Sequence, residues 1–300
     1  MAFASYTEIT CKSALTRVQG MPFEWSLNPY RGCTAGCTYC YAREYHAKMD
    51  RDIGRGFDSR IEVKVNFAEV LRRELASGSR RGSVALGTAT DPYQAAEGRY
   101  RITRRALEAL VDRPLPLSIV TKSAMVVRDA DLLARLTRLT HGAVRVYFSI
   151  GSVDPDVARR VEPLASPPAK RLEGLRRLRE HGVPAGVLLA PILPGLSDSE
   201  ESLEAVALAA AASGACFLRS RVLKLDPHVK DFYFAFLAAE FPALLETHRA
   251  LYARGVHADR AYAEEIERRV ERVRSRYRFD ERETRAETAA IEQIRLSLAG

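Results

Sequence analysis

The sequence predicts an α/β fold: a complete or partial TIM-like barrel of about six βα units, followed by a helical C-terminal extension. Three observations predict it. Short, nearly all-apolar runs alternate with amphipathic stretches up to residue 223, and such runs mark strands buried on both faces of a parallel sheet. Several of these runs end in polar turns, among them Thr121-Lys122-Ser123 and Gly151-Ser152, at the carboxyl ends of strands where barrels build their sites. Beyond Asp226 only helical periodicity continues.

Residues 1–23 show little periodicity and read as a lead-in segment holding a lone Cys11. The core is expected over residues 24–225, beginning with a short strand over 24–28 and an alternating run over 61–65. Helical spacing over Phe67–Ala76 stops at Gly78. A strand over 83–86 then ends in Gly87-Thr88-Ala89-Thr90-Asp91-Pro92. Helices over 103–111 and 129–139 precede strands over 116–120 and 144–150 respectively, the first of these helix–strand pairs ending in the lysine turn. A helix over 168–181 is closed by Gly182, a left-handed cap, before an apolar strand over 183–190. An alanine-rich helix over 198–212 and a strand over 215–223 complete the core. The extension, residues 226–300, reads as helices over 232–241, 242–254, 261–277 and 284–298. No low-complexity linker precedes them, so they are expected to pack on the barrel.

At 300 residues the chain is long for one core, but barrels reach this size. No apolar run approaches the roughly 20 residues of a membrane span. The N-terminal stretch has neither signal-peptide nor transit-peptide character. The expectation is a cytoplasmic protein with no membrane partner. A net charge of +8 is compatible with a nucleic-acid partner, although arginine richness is equally what a GC-rich genome encodes.

Three of the five cysteines, Cys33, Cys37 and Cys40, stand at C-x3-C-x2-C spacing. On a tight loop, that spacing lets three thiolates meet one metal centre. A structural zinc site is closed by four ligands, whereas a four-iron cubane on three cysteines leaves one iron open to another ligand. Gly32 and Gly36 suit a loop wrapped around such a group. From spacing alone, zinc completed by Cys216 or His46 stays open as an alternative. A disulfide framework does not fit so few and odd-numbered cysteines. The histidines form no ligand-spaced pair, and Cys216 begins a buried strand.

The cysteine motif, with Tyr39 before its third cysteine, resembles that of the radical S-adenosyl-L-methionine (radical SAM) superfamily. Asn28-Pro29-Tyr30-Arg31-Gly32-Cys33 and Cys40-Tyr41-Ala42-Arg43 resemble its spore photoproduct lyase-like branch. So do Thr90-Asp91-Pro92-Tyr93-Gln94, Thr121-Lys122-Ser123, the block from Glu162 to Pro167, and the block from Ala190 to Gly195. The resemblance implies a partial (β/α)6 barrel of the radical SAM type. It also implies a [4Fe-4S] cluster on Cys33, Cys37 and Cys40, reductive cleavage of SAM to a 5′-deoxyadenosyl radical, and hydrogen abstraction from a substrate it does not identify. An electron donor such as flavodoxin or ferredoxin follows from the same chemistry.

Among cofactor contacts, the resemblance places Tyr39 near the adenine and residues 189–194 as an apolar wall for it. It places Thr88, Thr90 and Asp91 where relatives receive the methionyl amine, Lys122 at the SAM carboxylate, and Ser149 at a ribose hydroxyl. Arg171 is expected either to pair with Glu162 or to reach the cofactor carboxylate. Tyr93 is the candidate for substrate contact or hydrogen relay, and nothing places Cys11 near the site. The lyase of this branch quenches its product radical with a cysteine near the end of the second strand, and residues 87–91 contain none. Hydrogen abstraction from an unidentified substrate is therefore the leading reading. Lyase-like repair of DNA lesions and a non-catalytic metal-binding or scaffold role are the alternatives.

Overall fold

Residues 4–77 and 82–279 are described by the computed structural model. In chain order the strands are β1 (Ser5–Ile9), β2 (Leu15–Arg17), β3 (Trp25–Leu27), β4 (Tyr30–Arg31), β5 (Arg60–Lys64), β6 (Val84–Leu86), β7 (Leu117–Thr121), β8 (Val144–Ser149), β9 (Ala185–Ile192) and β10 (Leu218–Val222). The main sheet runs β10-β9-β8-β7-β6-β3-β2. Its six strands from β3 to β10 are parallel, and β2 is antiparallel to β3 at one edge. The order is linear, so the barrel is partial, as the sequence predicts.

Alternating apolar strands and amphipathic helices produce this arrangement because each helix has one face to hide. Phe67–Ala76 buries Phe67, Val70, Leu71 and Leu75, the i, i+3, i+4 stripe of a helix on a sheet. Side chains from the strands, including Leu86, Ile119, Val146, Phe148 and Val187, form the core beneath it. Sequence-local signals set several helix starts. Asp154 and Ser199 accept hydrogen bonds from free N–H groups of the first turn at Pro155–Val161 and Glu200–Ala212.

Some elements differ from expectation. The lead-in contributes β1 and β2, and the alternating run becomes β5 in a second sheet ordered β1-β5-β4. β1 is mostly exposed and gains its conformation from pairing with β5, a long-range contact that local periodicity does not carry. Short helices at Ala95–Tyr100 and Pro155–Val161 lie in stretches with no helical stripe to read. In the extension, Pro227–Glu240 is followed by a 3-10 turn at Pro242–Leu244, then by Leu245–Leu251 and Arg260–Arg274. The expected helix over 242–254 is shorter because its first turn is the 3-10 turn opened by Pro242. The expected helix over 284–298 lies outside the described residues.

A second apolar cluster unites the cysteine loop with this extension. Cys33, Cys37, Tyr39 and Phe57 pack with Leu193 and Leu223 beyond the main sheet and with Val229, Tyr233 and Leu237 of Pro227–Glu240. The extension thus covers the same end of the barrel that carries the loop.

Candidate active site at the barrel mouth

The chain leaves β3, pairs briefly as β4, and turns into the cysteine loop. Gly32 and Gly36 take φ of +81° and +65°, in the left-handed region that favours glycine. At Gly32 a Cβ would also lie 2.9 Å from the Phe57 carbonyl oxygen. Gln94 clamps the backbone on either side of Cys33. Its Oε1 accepts from Thr34 N at 3.0 Å, and its Nε2 donates to Gly32 O at 3.1 Å. Downstream, Cys33 N donates to Phe57 O and Thr38 N to Val161 O, both at 3.0 Å. Arg43 donates from Nε and Nη2 to the Cys37 carbonyl at 3.1 and 3.0 Å.

Cys33 and Cys37 are buried and Cys40 is half-buried. Burial pushes all three thiols up, Cys37 to about 12. Lys122 opposes that rise at Cys37, and Arg43 and Lys122 oppose it at Cys40.

The other walls come from strand ends. Tyr39 donates its hydroxyl to Glu162, whose other oxygen accepts from Arg171. Arg171 is 1% exposed and its remaining donors go to Ser166 O and Ser149 O, at 2.6 and 2.7 Å. Of the two roles expected for it, the geometry supplies the pairing with Glu162. Lys122 Nζ lies 5.6 Å from the centroid of the Tyr39 ring and 3.9 Å from Glu162 Oε1. Burial works against its charge, but negative charge on the Cys37 sulfur and on Glu162 outweighs that and moves it upward. Ser149 Oγ donates to Ala190 O at 2.7 Å. Beside Tyr39 and Glu162 lies a narrow cleft of about 10 Å³, lined also by Gly151, Val161, Pro191 and Leu193. At Gly151 a Cβ would meet Pro191 O at 2.6 Å, so only glycine keeps this backbone and cleft shape.

Thr88, Thr90 and Asp91 sit at the end of β6, but their oxygens are engaged within the protein. Thr88 Oγ1 contacts Ser26 Oγ and accepts from Asn28 Nδ2 at 3.0 Å. Thr90 Oγ1 donates to Gly32 O at 2.6 Å. Asp91 accepts from Tyr93 N and Thr121 Oγ1 through one oxygen and from Lys122 N through the other. Tyr93 is not brought to the cleft. It is 1% exposed, and its hydroxyl lies toward the buried Asp129 and Glu97 carboxylates. Cys11 is tied to Asn66 beside β5, and Cys216 precedes β10. Sequence reasoning did not single out Asn28, Arg43, Gln94 or Glu162 as site residues. All four lie within the short blocks that carry the family resemblance, which was the available signal.

A loop of three cysteines at the carboxyl ends of an open parallel sheet, with Lys122 beside Tyr39 and Glu162, stands where parallel α/β barrels build their active sites. The chain belongs to the radical SAM superfamily, which residues 27–206 match, and whose members use a [4Fe-4S] cluster and SAM and need a reductant. An uncharacterized protein of Mycobacterium tuberculosis is 38% identical over 292 residues, covering 95% of this chain and 85% of its own. The radical SAM Nalpha-GlyT isomerase of Pseudomonas phage M6 is 26% identical over 169 residues, covering 56% of this chain and 33% of its own. A spore photoproduct lyase variant with bound AdoMet and dinucleoside spore photoproduct has the same fold. It aligns with a TM-score of 0.70 at 18% identity, covering 91% of this chain and 79% of that one.

The residues present fit the family's cofactors. Two buried thiols and a half-buried one disfavour their anions unless a cation holds them, and iron is such a cation for soft sulfur donors. The Lys122 ammonium has three donors and its nearest described carboxylate oxygen stands at 3.9 Å, so it retains capacity for an anionic group at the cleft. Among the described residues no helix is long and apolar enough to cross a membrane.

Proposed function

We propose that Cys33, Cys37 and Cys40 hold the [4Fe-4S] cluster and that SAM lies at the barrel mouth beside Tyr39, with Lys122 taking its carboxylate. The observation that carries this is the partly buried Lys122 ammonium, 5.6 Å from the centroid of the Tyr39 ring and 3.9 Å from Glu162 at the mouth of the barrel. When bound, the cluster and SAM supply a carbon radical that abstracts hydrogen from a substrate. The chain's own part is to orient and to exclude water. Asp91 fixes the turn carrying Lys122, Glu162 and Arg171 lock Tyr39, and Gly151 keeps the cleft wall low. Thr88, Thr90, Asp91, Ser149 and Arg171 act in this reading by shaping the pocket through the bonds described above. A flavodoxin or ferredoxin in the cytoplasm would deliver the electron.

Anaerobic reconstitution tests the proposal. Dithionite-reduced protein is expected to convert SAM to 5′-deoxyadenosine, and failure of the iron-loaded protein to do so would overturn it. Deuterium transfer into deoxyadenosine from one member of a panel of labelled compounds would identify the substrate.

A second reading is chemistry on a DNA base. The lyase-like fold and the net charge of +8 support it. The lack of a cysteine at residues 87–91 separates it from the lyase's own way of quenching a product radical. Ultraviolet-irradiated duplex DNA is expected to bind with an affinity that falls steeply with salt. Absent or salt-independent binding would remove this reading.

A further inference from the structure

Arg43 lies three residues beyond Cys40, at the start of the short helix Arg43–Ala47. Its side chain is fully buried. Besides its two bonds to the Cys37 carbonyl, it donates to Ile53 O, to Gly54 O at 3.2 Å and to Asp58 Oδ1 at 2.8 Å. Its flat faces are covered by Phe57 at 4.7 Å and Phe232 at 4.4 Å from the ring centroids. Phe232 comes from Pro227–Glu240, so the C-terminal extension closes one side of the clamp. The next residue reinforces the joint, because Glu44 accepts from His228 N at 3.2 Å and contacts His228 Nδ1 at 3.1 Å.

We infer that Arg43 is a positioning residue for the cluster: it fixes the Cys37 backbone and keeps a permanent positive charge beside the cysteine loop, held there by Phe232 of the extension. The inference rests on the proposed role of the three cysteines. A guanidinium stays charged at any working pH and offers a rigid fork that a lysine does not. Its partner Asp58 is about a quarter exposed while Arg43 is wholly buried. Water therefore reaches the anion but not the cation, and of this pair Arg43 presents the less screened charge to the loop. A cation next to an iron–sulfur cluster favours its reduced, more negative state, and net charge is one of the terms that set cluster potential. Arg43 thus eases electron uptake as well as shaping the loop, and the extension takes part in both.

The test compares wild type, Arg43→Lys, Arg43→Gln and Phe232→Leu after anaerobic reconstitution, reading iron per chain, midpoint potential and the EPR spectrum of the reduced cluster. Arg43→Gln is expected to load less iron and to reduce at a lower potential. Arg43→Lys is expected to restore potential more than iron content, since it returns the charge without the fork to Cys37. Phe232→Leu keeps the arginine and is expected to give up iron to a chelator about threefold faster than wild type, the scale of one lost ring contact. Wild-type loading, potential and EPR spectrum in Arg43→Gln would overturn the inference. Should Arg43→Gln not fold, a wild-type rate of iron loss with an unchanged spectrum in Phe232→Leu would do so. Failure of wild type itself to take up a cluster is a distinct result, removing the proposed function and this inference with it.

Discussion

Asp91 accepts a hydrogen bond from the main-chain N–H of Lys122 at 2.7 Å, joining the turn after β6 to the turn after β7. Its other oxygen accepts from Thr121 Oγ1 at 2.7 Å and Tyr93 N at 2.8 Å. The carboxylate therefore sets where the Lys122 side chain begins. Asp91→Asn exchanges one acceptor for a donor and leaves an N–H or hydroxyl facing another N–H. SAM affinity is expected to fall about tenfold, the scale of one hydrogen bond to a charged group, while iron content holds. Equilibrium dialysis of the reconstituted variant measures this, and wild-type affinity would show that Asp91 does not position the lysine.

The cysteines divide by environment. Cys40 lies in the loop with Cys33 and Cys37 and beside Arg43, whereas Cys216 stands just before the last strand of the barrel. Cys40→Ala is expected to abolish the brown colour of the reconstituted protein and its deoxyadenosine formation. Cys216→Ala should keep both nearly intact, since this half-buried thiol lies outside the cysteine loop. Iron assay and product analysis on the two variants, prepared side by side, check the division.

Glu162 and Arg171 form a buried ion pair, 6% and 1% exposed, with Tyr39 as a third member. Removing one partner leaves a desolvated charge, which costs about 3–5 kcal/mol in such settings. Glu162→Gln is accordingly expected to lower stability by that order. Glu162→Gln combined with Arg171→Met should cost less than the sum of the two single changes, because the stranded charge is gone. Urea unfolding of the four proteins gives the coupling; additive effects would mean that the pair is screened by water.

The barrel strands were legible because each runs nearly all-apolar for several residues and ends at a polar turn. That pattern located Lys122 and Asp91 at strand ends without any contact being known. It did not reveal how they are used. Thr88 and Thr90 look available from spacing, but Asn28 and the Gly32 carbonyl engage their hydroxyls, and those partners come from another strand end. Glu162 sits after a short helix with no periodic signal, and its importance arises only where Tyr39 and Arg171 converge from separate segments. Pairing of β1 with β5 was hidden for the same reason: β1 is mostly exposed, and the alternation of β5 does not say which strand it meets. Local periodicity reports burial; it does not report which distant polar group will be met.

His248 supplies a pH dependence with a definite sign. It is fully buried in Leu245–Leu251, between Tyr233 and Tyr252, with ring centroids 5.6 and 6.3 Å away. Nδ1 lies 3.0 Å from the Leu244 carbonyl. A carbonyl only accepts, so Nδ1 carries the proton and Nε2 holds a lone pair, without a partner among the described residues. Protonation would bury a charge there. Burial lowers the His248 pKa, against a smaller opposing effect from the Leu244 carbonyl and Asp198. His46 is lowered as well, by burial and by Arg51. In both cases the unfolded chain binds the proton first, so stability is present above the unfolded value of 6.5 and is lost as pH falls from there toward the folded value. Each group contributes a slope of at most about 1.4 kcal/mol per pH unit. His248→Phe, which keeps a ring between the two tyrosines, is expected to make the slope shallower by up to one proton and leave the parts due to His46 and, with the opposite sign, to Asp58, whose carboxyl burial pushes up to about 6. Urea unfolding of the metal-free chain between about pH 7 and about pH 5 reads the slope directly, and equal slopes in wild type and variant would mean that His248 does not titrate on unfolding.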